Sequence, residues 1–213
     1  MPKTMGVLGP RGTHSEAASS YLNGRLPESC ELVTVPDLFD CLQEVEDGGL
    51  DTALVPVENS LEGAIHITLD MLARSKSLCV LRELIWPVHN QLMAKCGAAE
   101  IQDNMANCTR FFQVSRRESA EQALPKEKVL IICQINGRKA GALYEVLKEF
   151  AQRGINLTRI ESRPARTELG DYIFFFDLEY TPDERLLQES IQAVAEKSIW
   201  LKNLGVFPVL TVS

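Results

Sequence analysis

The feature that most constrains this chain is an apolar strand that runs directly into a polar cluster. Residues 53–63 read ALVPVENSLEG. The apolar part predicts a buried strand, and that strand ends at Glu58, Asn59 and Ser60. Open α/β sheets bind their ligands outside the carboxyl ends of their strands. The three polar residues therefore form a candidate binding or catalytic cluster.

A second strand that ends in polar residues stands near the N-terminus. The apolar run 5–9 leads into the turn sequence PRGTHSE at 10–16. Thr13 and Glu16 have the spacing of a capping box, which predicts a helix that begins at about residue 14. A helix N-terminus attracts anions through its exposed amides. Two polar strand ends of this kind can line one pocket.

The composition is that of an ordinary globular protein and excludes several classes. The 213 residues are 45% hydrophobic and 24% charged, which suffices for a real core. Because no stretch approaches the roughly 18 apolar residues of a membrane span and no secretory signal opens the chain, we expect a cytosolic protein without a membrane partner. Six scattered cysteines without a CxxC pair, and only three histidines, predict buried thiols, with no metal site, disulfide framework or cofactor.

Charge is distributed unevenly along the chain. Residues 1–114 contain 8 Lys or Arg against 15 Asp or Glu, whereas residues 128–213 contain 11 of each. A nucleic-acid-binding protein would show a basic face, so we expect no nucleic-acid partner. In an acidic first half, the basic side chains near the polar clusters are the natural ligands for an anion, and Arg11 and Arg110 are the candidates.

The first half alternates strands and helices, the pattern of an α/β domain. Expected strands cover 5–9, 31–35 and 52–57, an extended segment covers 78–93, and expected helices cover 14–23, 37–47 and 62–73. The stretch 115–127 then breaks the periodicity with charge and a proline. We therefore predict a domain at 1–114 and a linker at 115–127.

The remaining segment, 128–213, reads as a second domain with the order βαββαβ. Expected strands cover 128–136, 156–163, 171–179 and 205–212, and expected helices cover 142–153 and 183–196. This order predicts an antiparallel sheet with helices on one face, a ferredoxin-like module that commonly pairs with a copy of itself.

Six short motifs together resemble one family, the prephenate dehydratases with a C-terminal ACT domain. The motifs are GPRGTHS at 9–15, PVENS at 56–60 with Leu69-Asp70 behind it, CTRF at 108–111, GALY at 141–144, RGINL at 153–157 and ESRP at 161–164. Each motif is weak alone, but six in the family's order are specific. The resemblance implies a periplasmic-binding-protein-like α/β catalytic domain followed by the ferredoxin-like ACT domain.

The catalytic half is too short for the two lobes of that family fold. Only fourteen residues separate Met93 from Cys108, and so few cannot hold a lobe. We expect the segment 94–107 to join the exit strand almost directly to the return strand. The predicted fold class is therefore α/β, with a shortened single-lobe domain followed by an ACT domain, and the second catalytic lobe missing.

By resemblance, the substrate is prephenate, which loses carbon dioxide and its ring hydroxyl to become phenylpyruvate. Thr109 is the candidate that donates a hydrogen bond as hydroxide departs, although an isolated threonine can also simply line a strand. Arg110 either pairs with a substrate carboxylate or bridges to an acid such as Glu58, and the sequence leaves both possibilities open. Asn59 and Ser60 would face the ligand as neutral donors, with Glu58 orienting its neighbours.

The predicted substrate-binding residues lie mainly at the N-terminal turn. Thr13 and Ser15 would bind an anion at the helix N-terminus; plain helix capping is the alternative, and both can hold together. Gly12 would permit the tight turn and the close approach. Phe111 completes this set through the CTRF motif.

The resemblance also implies a regulatory site for L-phenylalanine at a dimer interface of the second domain. It would use two short segments, Gly141, Ala142 and Leu143 at the start of a helix, and Glu161, Ser162, Arg163 and Pro164 at the end of a strand. Alternatively, Gly141 is a turn glycine and Arg163 a solvated charge. We expect a homodimer or a homotetramer.

Two hypotheses follow from these motifs. The first is a compact prephenate dehydratase, regulated by phenylalanine, in which another subunit replaces the missing wall. The second is a phenylalanine-binding regulatory protein whose catalytic half is inactive. Turnover of prephenate separates them, and the enzyme is the assigned function.

Overall fold

The computed structural model describes residues 2–88, 107–117, 125–168 and 170–212. Most of the predicted connection 94–107 and much of the predicted linker 115–127 lie outside these residues. Contacts divide the chain into two units, the first made of Met1–Leu78, Arg82–Ala120 and Val209–Ser213, the second of Cys79–Leu81 and Glu121–Pro208. Contacts thus group residues 209–212 with the first unit, whereas the sequence prediction placed them in the ACT domain.

The first unit is built on one mixed sheet. Its strands are β1 (Thr4–Leu8), β2 (Glu31–Val35), β3 (Thr52–Asn59), β4 (Gly63–Ala64), β5 (Leu78–Pro87), β6 (Cys108–Arg116) and β11 (Val209–Thr211). Its helices are α1 (His14–Asn23), α2 (Leu38–Asp47) and α3 (His66–Arg74). The strand order is β11-β5-β6-β3-β1-β2, with β4 beside β3.

The position of each strand follows from its connection. β1 pairs in parallel with β2 and with β3, because α1 and α2 provide the crossovers that parallel strands need. β6 instead runs antiparallel to β3. The end of β3 therefore lies beside the start of β6, and this places the polar cluster of β3 next to the CTRF motif.

Two helix starts in this unit are fixed by side-chain caps. The Thr13 hydroxyl accepts a hydrogen bond from the backbone N–H of Glu16 (3.4 Å), and an Asp37 carboxylate oxygen accepts one from Asp40 (2.8 Å). Such caps satisfy amides that would otherwise lack a partner. The α1 side of the sheet carries a core of Met5, Ala18, Leu22, Leu54, Leu84 and Phe111.

The second unit confirms the βαββαβ order. Its elements are β7 (Lys128–Gln134), α4 (Ala142–Gln152), β8 (Leu157–Pro164), β9 (Tyr172–Glu179), α5 (Glu184–Lys197) and β10 (Trp200–Phe207). The strands form an antiparallel sheet in the order β10-β7-β9-β8. Helices α4 and α5 pack against each other, and their apolar faces join buried residues of β7 and β9 in one core. β8 is an edge strand.

The structure differs from the sequence prediction at two places. The helix predicted from residue 62 begins at His66, because residues 63–64 pair with the end of β3 and Gly63 adopts a left-handed φ of 84°. The last predicted strand, 205–212, is two strands, which Pro208 separates. The second of them, β11, pairs in parallel with β5 of the first unit.

A substitution of Phe150 tests whether this core stabilises the second unit, as its packing indicates. Its ring is fully buried, with its centroid 5.6 Å from that of Phe176. We expect Phe150→Ala to lower the free energy of unfolding by about 3–5 kcal/mol, because it leaves a cavity. Urea denaturation followed by circular dichroism measures this loss. Gln152→Ala, at an exposed position of the same helix, is the control and should change stability by less than about 0.5 kcal/mol.

Candidate functional site

The candidate site lies where the end of β3 meets the start of β6. The antiparallel register places Glu58 opposite Arg110 and Asn59 opposite Thr109. An irregularity between Pro56 and Glu58 shifts the pairing by one residue. Because neighbours in such a pair lie within hydrogen-bonding reach, the two motifs singled out in the sequence form a single cluster.

Asn59 is the centre of the hydrogen bonds in this cluster. Its side-chain oxygen accepts hydrogen bonds from the backbone N–H groups of Leu61 (2.9 Å) and Glu62 (3.1 Å). Its amide nitrogen donates to the Thr109 hydroxyl oxygen (3.1 Å) and to Oδ1 of Asn107 (2.9 Å). A longer contact, 3.3 Å, reaches the carbonyl of Cys108. Asn59 thus holds the Thr109 hydroxyl group in position through this hydrogen bond.

Ser60 closes the end of the same strand pair. Its backbone N–H donates to the carbonyl of Cys108 (2.9 Å), and its hydroxyl oxygen accepts from the backbone N–H of Cys108 (3.0 Å). These reciprocal bonds hold the turn against β6. Ser60 therefore positions the backbone, whereas Asn59 lines the pocket.

Arg110 forms internal ion pairs, one of the two possibilities that the sequence left open. It is buried, with Nη2 at 2.7 Å from a Glu83 carboxylate oxygen and Nη1 at 3.5 Å from Glu58. Its guanidinium also lies over the ring of Phe112, 4.9 Å from the centroid. It therefore bridges acids on the two strands that flank β6, which is the internal ion pairing that the sequence allowed. Alternate side chains of β6 face opposite sides of the sheet, so Arg110 and Thr109 point apart.

Glu83 is the part of this arrangement that the sequence reasoning missed. Its side chain has no exposed surface, and it comes from β5. The signal was available, since Glu83 and Arg82 are the charged residues of an otherwise apolar strand, LCVLRELIWP. A carboxylate buried in such a strand needs a cationic partner.

The N-terminal turn has the predicted geometry. Gly12 adopts a left-handed φ of 84°, and Thr13 is the N-cap of α1. The Glu16 carboxylate accepts a hydrogen bond from the backbone N–H of Gly12, so both partners of the capping box are used. Helix capping is therefore established for Thr13, while Ser15, which is buried in the first turn, lines the pocket.

An open pocket of about 410 Å³ joins these elements on the α1 side of the sheet. The described residues that line it are His14, Ser15, Pro56, Asn59, Leu61, Glu62, Ile65, Val88, Asn107, Thr109 and Phe111. Of the predicted site residues, the pocket brings together Ser15, Asn59, Thr109 and Phe111, whereas Gly12, Thr13, Glu58, Ser60 and Arg110 lie outside its lining. No lysine or arginine occurs among the lining residues that the structure describes. The neutral hydrogen-bonding side chains of this lining are Ser15, Asn59, Asn107 and Thr109.

A second pocket, of about 330 Å³, lies within the second unit. It is lined by Ile135, Gly137, Lys139, Gly141, Ala142, Leu143, Tyr144, Gly170, Tyr172 and Phe174. Gly141 is the N-cap of α4 and has a φ of 77°. The three predicted residues at the start of α4 are thus in one pocket. The four on β8, residues 161–164, lie on the edge strand of the sheet and outside this lining.

Within the described ranges, no group of three or more His, Cys, Asp or Glu side chains is placed to hold a metal ion. Among the same residues, no helix is long and apolar enough to cross a membrane.

The fold and its pockets define a two-part α/β protein, in which a strand-end pocket and a ferredoxin-like unit with a small aromatic pocket occur in one chain. A family model for prephenate dehydratase matches residues 5–101, and a model for the ACT domain matches residues 130–196. The chain belongs to the prephenate dehydratase family and carries an ACT domain.

Relatives and solved structures agree with this membership. The prephenate dehydratase of Methanocaldococcus jannaschii is 28% identical over 265 positions, which span 94% of this chain and 96% of that protein. The prephenate dehydratase structure from Streptococcus mutans has a TM-score of 0.77 at 29% identity, with 98% of this chain and 99% of that chain covered. The enzyme from Arthrobacter aurescens, in complex with L-Phe, has a TM-score of 0.81 at 26% identity, with 96% and 90% covered.

The alignment with the Methanocaldococcus jannaschii protein also bears on the shortened catalytic half. It runs over 265 positions, more than the 213 residues of this chain. It must therefore contain positions that have no counterpart here. This agrees with the short connection between Met93 and Cys108.

The buried ion pair yields a stability prediction with a matched control. Glu83→Ala should lower the free energy of unfolding by about 3–5 kcal/mol, because it leaves the Arg110 charge buried without its closest partner. Glu58→Ala removes the more distant acid, whose side chain is one-third exposed, and should cost about 1 kcal/mol or less. Urea denaturation of both variants measures the difference. Equal losses would show that Glu83 is not the principal partner.

Proposed function

We propose that this protein is a prephenate dehydratase that phenylalanine regulates, and that Thr109 and Asn59 form the centre of its catalytic site. The observation that supports this most directly is the hydrogen bond from the Asn59 amide to the Thr109 hydroxyl oxygen, 3.1 Å long, at the wall of a pocket. The family membership of the chain supplies the reaction. The alternative, an inactive phenylalanine-binding protein, is not favoured, because the relatives of this chain are named as dehydratases.

The reaction requires little acid–base catalysis from the protein. The bond from the ring to its carboxylate breaks, its electron pair enters the ring, and the bond from the opposite ring carbon to the hydroxyl oxygen breaks. Carbon dioxide and hydroxide leave, and the hydroxide takes a proton from the solvent to become water. Because the ring becomes aromatic, the substrate itself supplies the driving force. The protein must bind the dianion and stabilise the departing oxygen.

Thr109 can stabilise the departing oxygen because of the hydrogen bond that its hydroxyl group accepts. Its hydroxyl oxygen accepts from Asn59, so its own proton has to be donated elsewhere. No acceptor for that proton is recorded among the described residues, and Thr109 lines the pocket. A hydroxyl that already accepts a hydrogen bond is also a better donor. It therefore offers a hydrogen bond where negative charge develops.

Binding of the dianion would rest on neutral donors in this unit. Ser15 lies in the first turn of α1, where the helix dipole favours negative charge. Arg110 is committed to Glu83 and Glu58. We infer that a second subunit of a homodimer or homotetramer completes the wall of the pocket, and that the protein acts in the cytoplasm.

Phenylalanine would bind in the second unit. The pocket beside Gly141 carries the rings of Tyr144, Tyr172 and Phe174, which suit an aromatic side chain. The predicted residues 161–164 lie on the edge strand β8, whose outer edge can pair with a second copy. The ligand would then contact Glu161, Ser162, Arg163 and Pro164 across the dimer.

Thr109→Ala tests the catalytic proposal. We expect wild-type protein to form phenylpyruvate from prephenate, and the variant to lose about 10²–10³-fold in kcat, as when one donor to a developing charge is removed. Thr109→Ser keeps the hydroxyl and should retain most of the activity. Thr34→Ala, at an exposed position of β2, should not change it. Absence of wild-type turnover, or equal rates for wild type and Thr109→Ala, would contradict the proposal.

Two glycines that flank α4 provide a matched test of the regulatory proposal. Gly141 and Gly154 both have a left-handed φ, 77° and 65°, and at both an added Cβ meets nothing within 4 Å. Alanine at either position therefore adds similar backbone strain, about 1 kcal/mol. Since Gly141 alone of the two lines the pocket, Gly141→Ala should weaken inhibition by phenylalanine, and Gly154→Ala should leave it unchanged.

The measurement is the phenylalanine concentration that halves prephenate turnover. Thermal unfolding with and without phenylalanine gives a second readout, because a ligand that binds only the folded form must stabilise it. If both variants shift the two readouts equally, the pocket beside Gly141 is not the phenylalanine site.

A further inference from the structure

The inference concerns Asn107, which lies immediately before the CTRF motif and which the sequence reasoning did not select. It is 6% exposed and lines the strand-end pocket. Its backbone is fixed, because its carbonyl accepts a hydrogen bond from Val88 (2.9 Å). A buried polar side chain in a ligand-sized pocket needs partners for each of its donors and acceptors.

The orientation of its amide follows from that of Asn59. The Asn59 side-chain atom that faces Leu61 and Glu62 must be the oxygen, since two backbone N–H groups donate to it. Its nitrogen therefore faces Asn107. Because an amide nitrogen only donates, the Asn107 atom that receives this bond, at 2.9 Å, must be its oxygen.

The NH₂ group of Asn107 consequently lies on the side of the amide away from Asn59. No acceptor for it is recorded within the described ranges. Asn107 and Thr109 are thus both positioned by the same Asn59 nitrogen, which lies 2.9 Å from Oδ1 of one and 3.1 Å from the hydroxyl oxygen of the other. In each residue the side-chain oxygen accepts a hydrogen bond from Asn59, and no acceptor is recorded within the described ranges for the side-chain N–H or O–H. Both residues line one pocket.

We propose that Asn107 is a catalytic residue that donates a second hydrogen bond to the oxygen leaving the substrate, beside the bond from Thr109. The inference rests on the proposed dehydratase function. In prephenate the hydroxyl and the two carboxyl-bearing groups lie at opposite ends of the ring. A donor next to Thr109 is therefore at the hydroxyl end. Two donors aimed at one developing hydroxide stabilise the transition state more than the ground state, so they raise kcat.

Asn107→Asp tests this assignment without altering the packing. The new side chain has the same size and still accepts a hydrogen bond from Asn59, so Thr109 stays in place. Its second oxygen, however, replaces the NH₂ donor and brings a negative charge towards the departing hydroxide. We expect kcat for prephenate to fall about 10²-fold at pH 8, with a smaller change in KM.

The pH profile separates a catalytic role from a structural one. When the carboxyl group that Asn107→Asp introduces is protonated, it regains an O–H donor, so the ratio of wild-type to variant kcat should shrink as the pH falls from 8 to 5. His14 on α1 and Glu62 on the turn after β3 are ionisable side chains that also line the pocket, but both proteins contain them, so the ratio removes their separate effect. The uncatalysed reaction is subtracted at each pH.

Two further variants complete the experiment. Asn156→Asp adds the same charge at an exposed position of the second unit and should behave as wild type at every pH. The double variant Asn107→Asp, Thr109→Ala should lose less than the product of the two single effects, because both donors serve one oxygen.

The outcomes are distinct. An Asn107→Asp variant with wild-type kcat, or a loss that does not depend on pH, overturns the assignment of Asn107 and leaves the dehydratase function intact. Absence of turnover by wild type overturns both. A loss that shrinks at low pH, together with wild-type behaviour of Asn156→Asp, supports the assignment.

Discussion

The antiparallel pairing of β3 with β6 is the constraint on which the site depends. It sets residue 59 opposite residue 109, so an amide from one motif meets a hydroxyl from the other. These residues are fifty positions apart in the chain, and no local propensity brings them together. The turn after β3 adds rigidity, because Ser60 and Cys108 exchange two hydrogen bonds at the end of the ladder. A slip of one residue in this register would turn Thr109 away from the pocket.

The buried guanidinium of Arg110 stabilises the same register of β3 and β6, and it lies on the opposite face of the sheet from Thr109. It contacts Glu83 on β5 and Glu58 on β3, and so it links three neighbouring strands. A buried ion pair contributes little net stability compared with apolar packing, but it penalises any arrangement that separates its partners. Thr109 and Phe111 flank Arg110 in the chain. Fixing Arg110 on one face therefore fixes these two side chains on the other.

The sequence predicted those parts of the fold that local chemistry determines. The bounds of α1 follow from the capping residue Thr13 and were correct, and the βαββαβ order follows from periodicity and turn residues. What the sequence did not reveal depends on long-range pairing. The start of α3 moved because Gly63 pairs with the end of β3, and the final strand split because Pro208 separates two sheets.

The same division applies to the candidate site. Its motifs were found as short patterns, but Glu83 and Asn107 belong to it only through contacts across strands. Arg110 shows the limit most clearly. Its sequence context allowed a substrate contact or an internal ion pair, and the choice depends on whether a buried carboxylate lies within reach, which periodicity alone does not tell.

The chemistry explains how a shortened catalytic half can still form a working site. Because aromatisation drives the reaction, the essential groups are donors at the departing oxygen, and the two proposed here come from β6 and the residue before it. Both belong to one unit, and Asn59 orients them together. The pocket is open and its described lining contains neither lysine nor arginine, so enclosure and positive charge around the dianion have to come from outside that lining. A neighbouring subunit could supply both without altering the donors, so assembly would act mainly on substrate binding, and Asn59 and Thr109 on the chemical step.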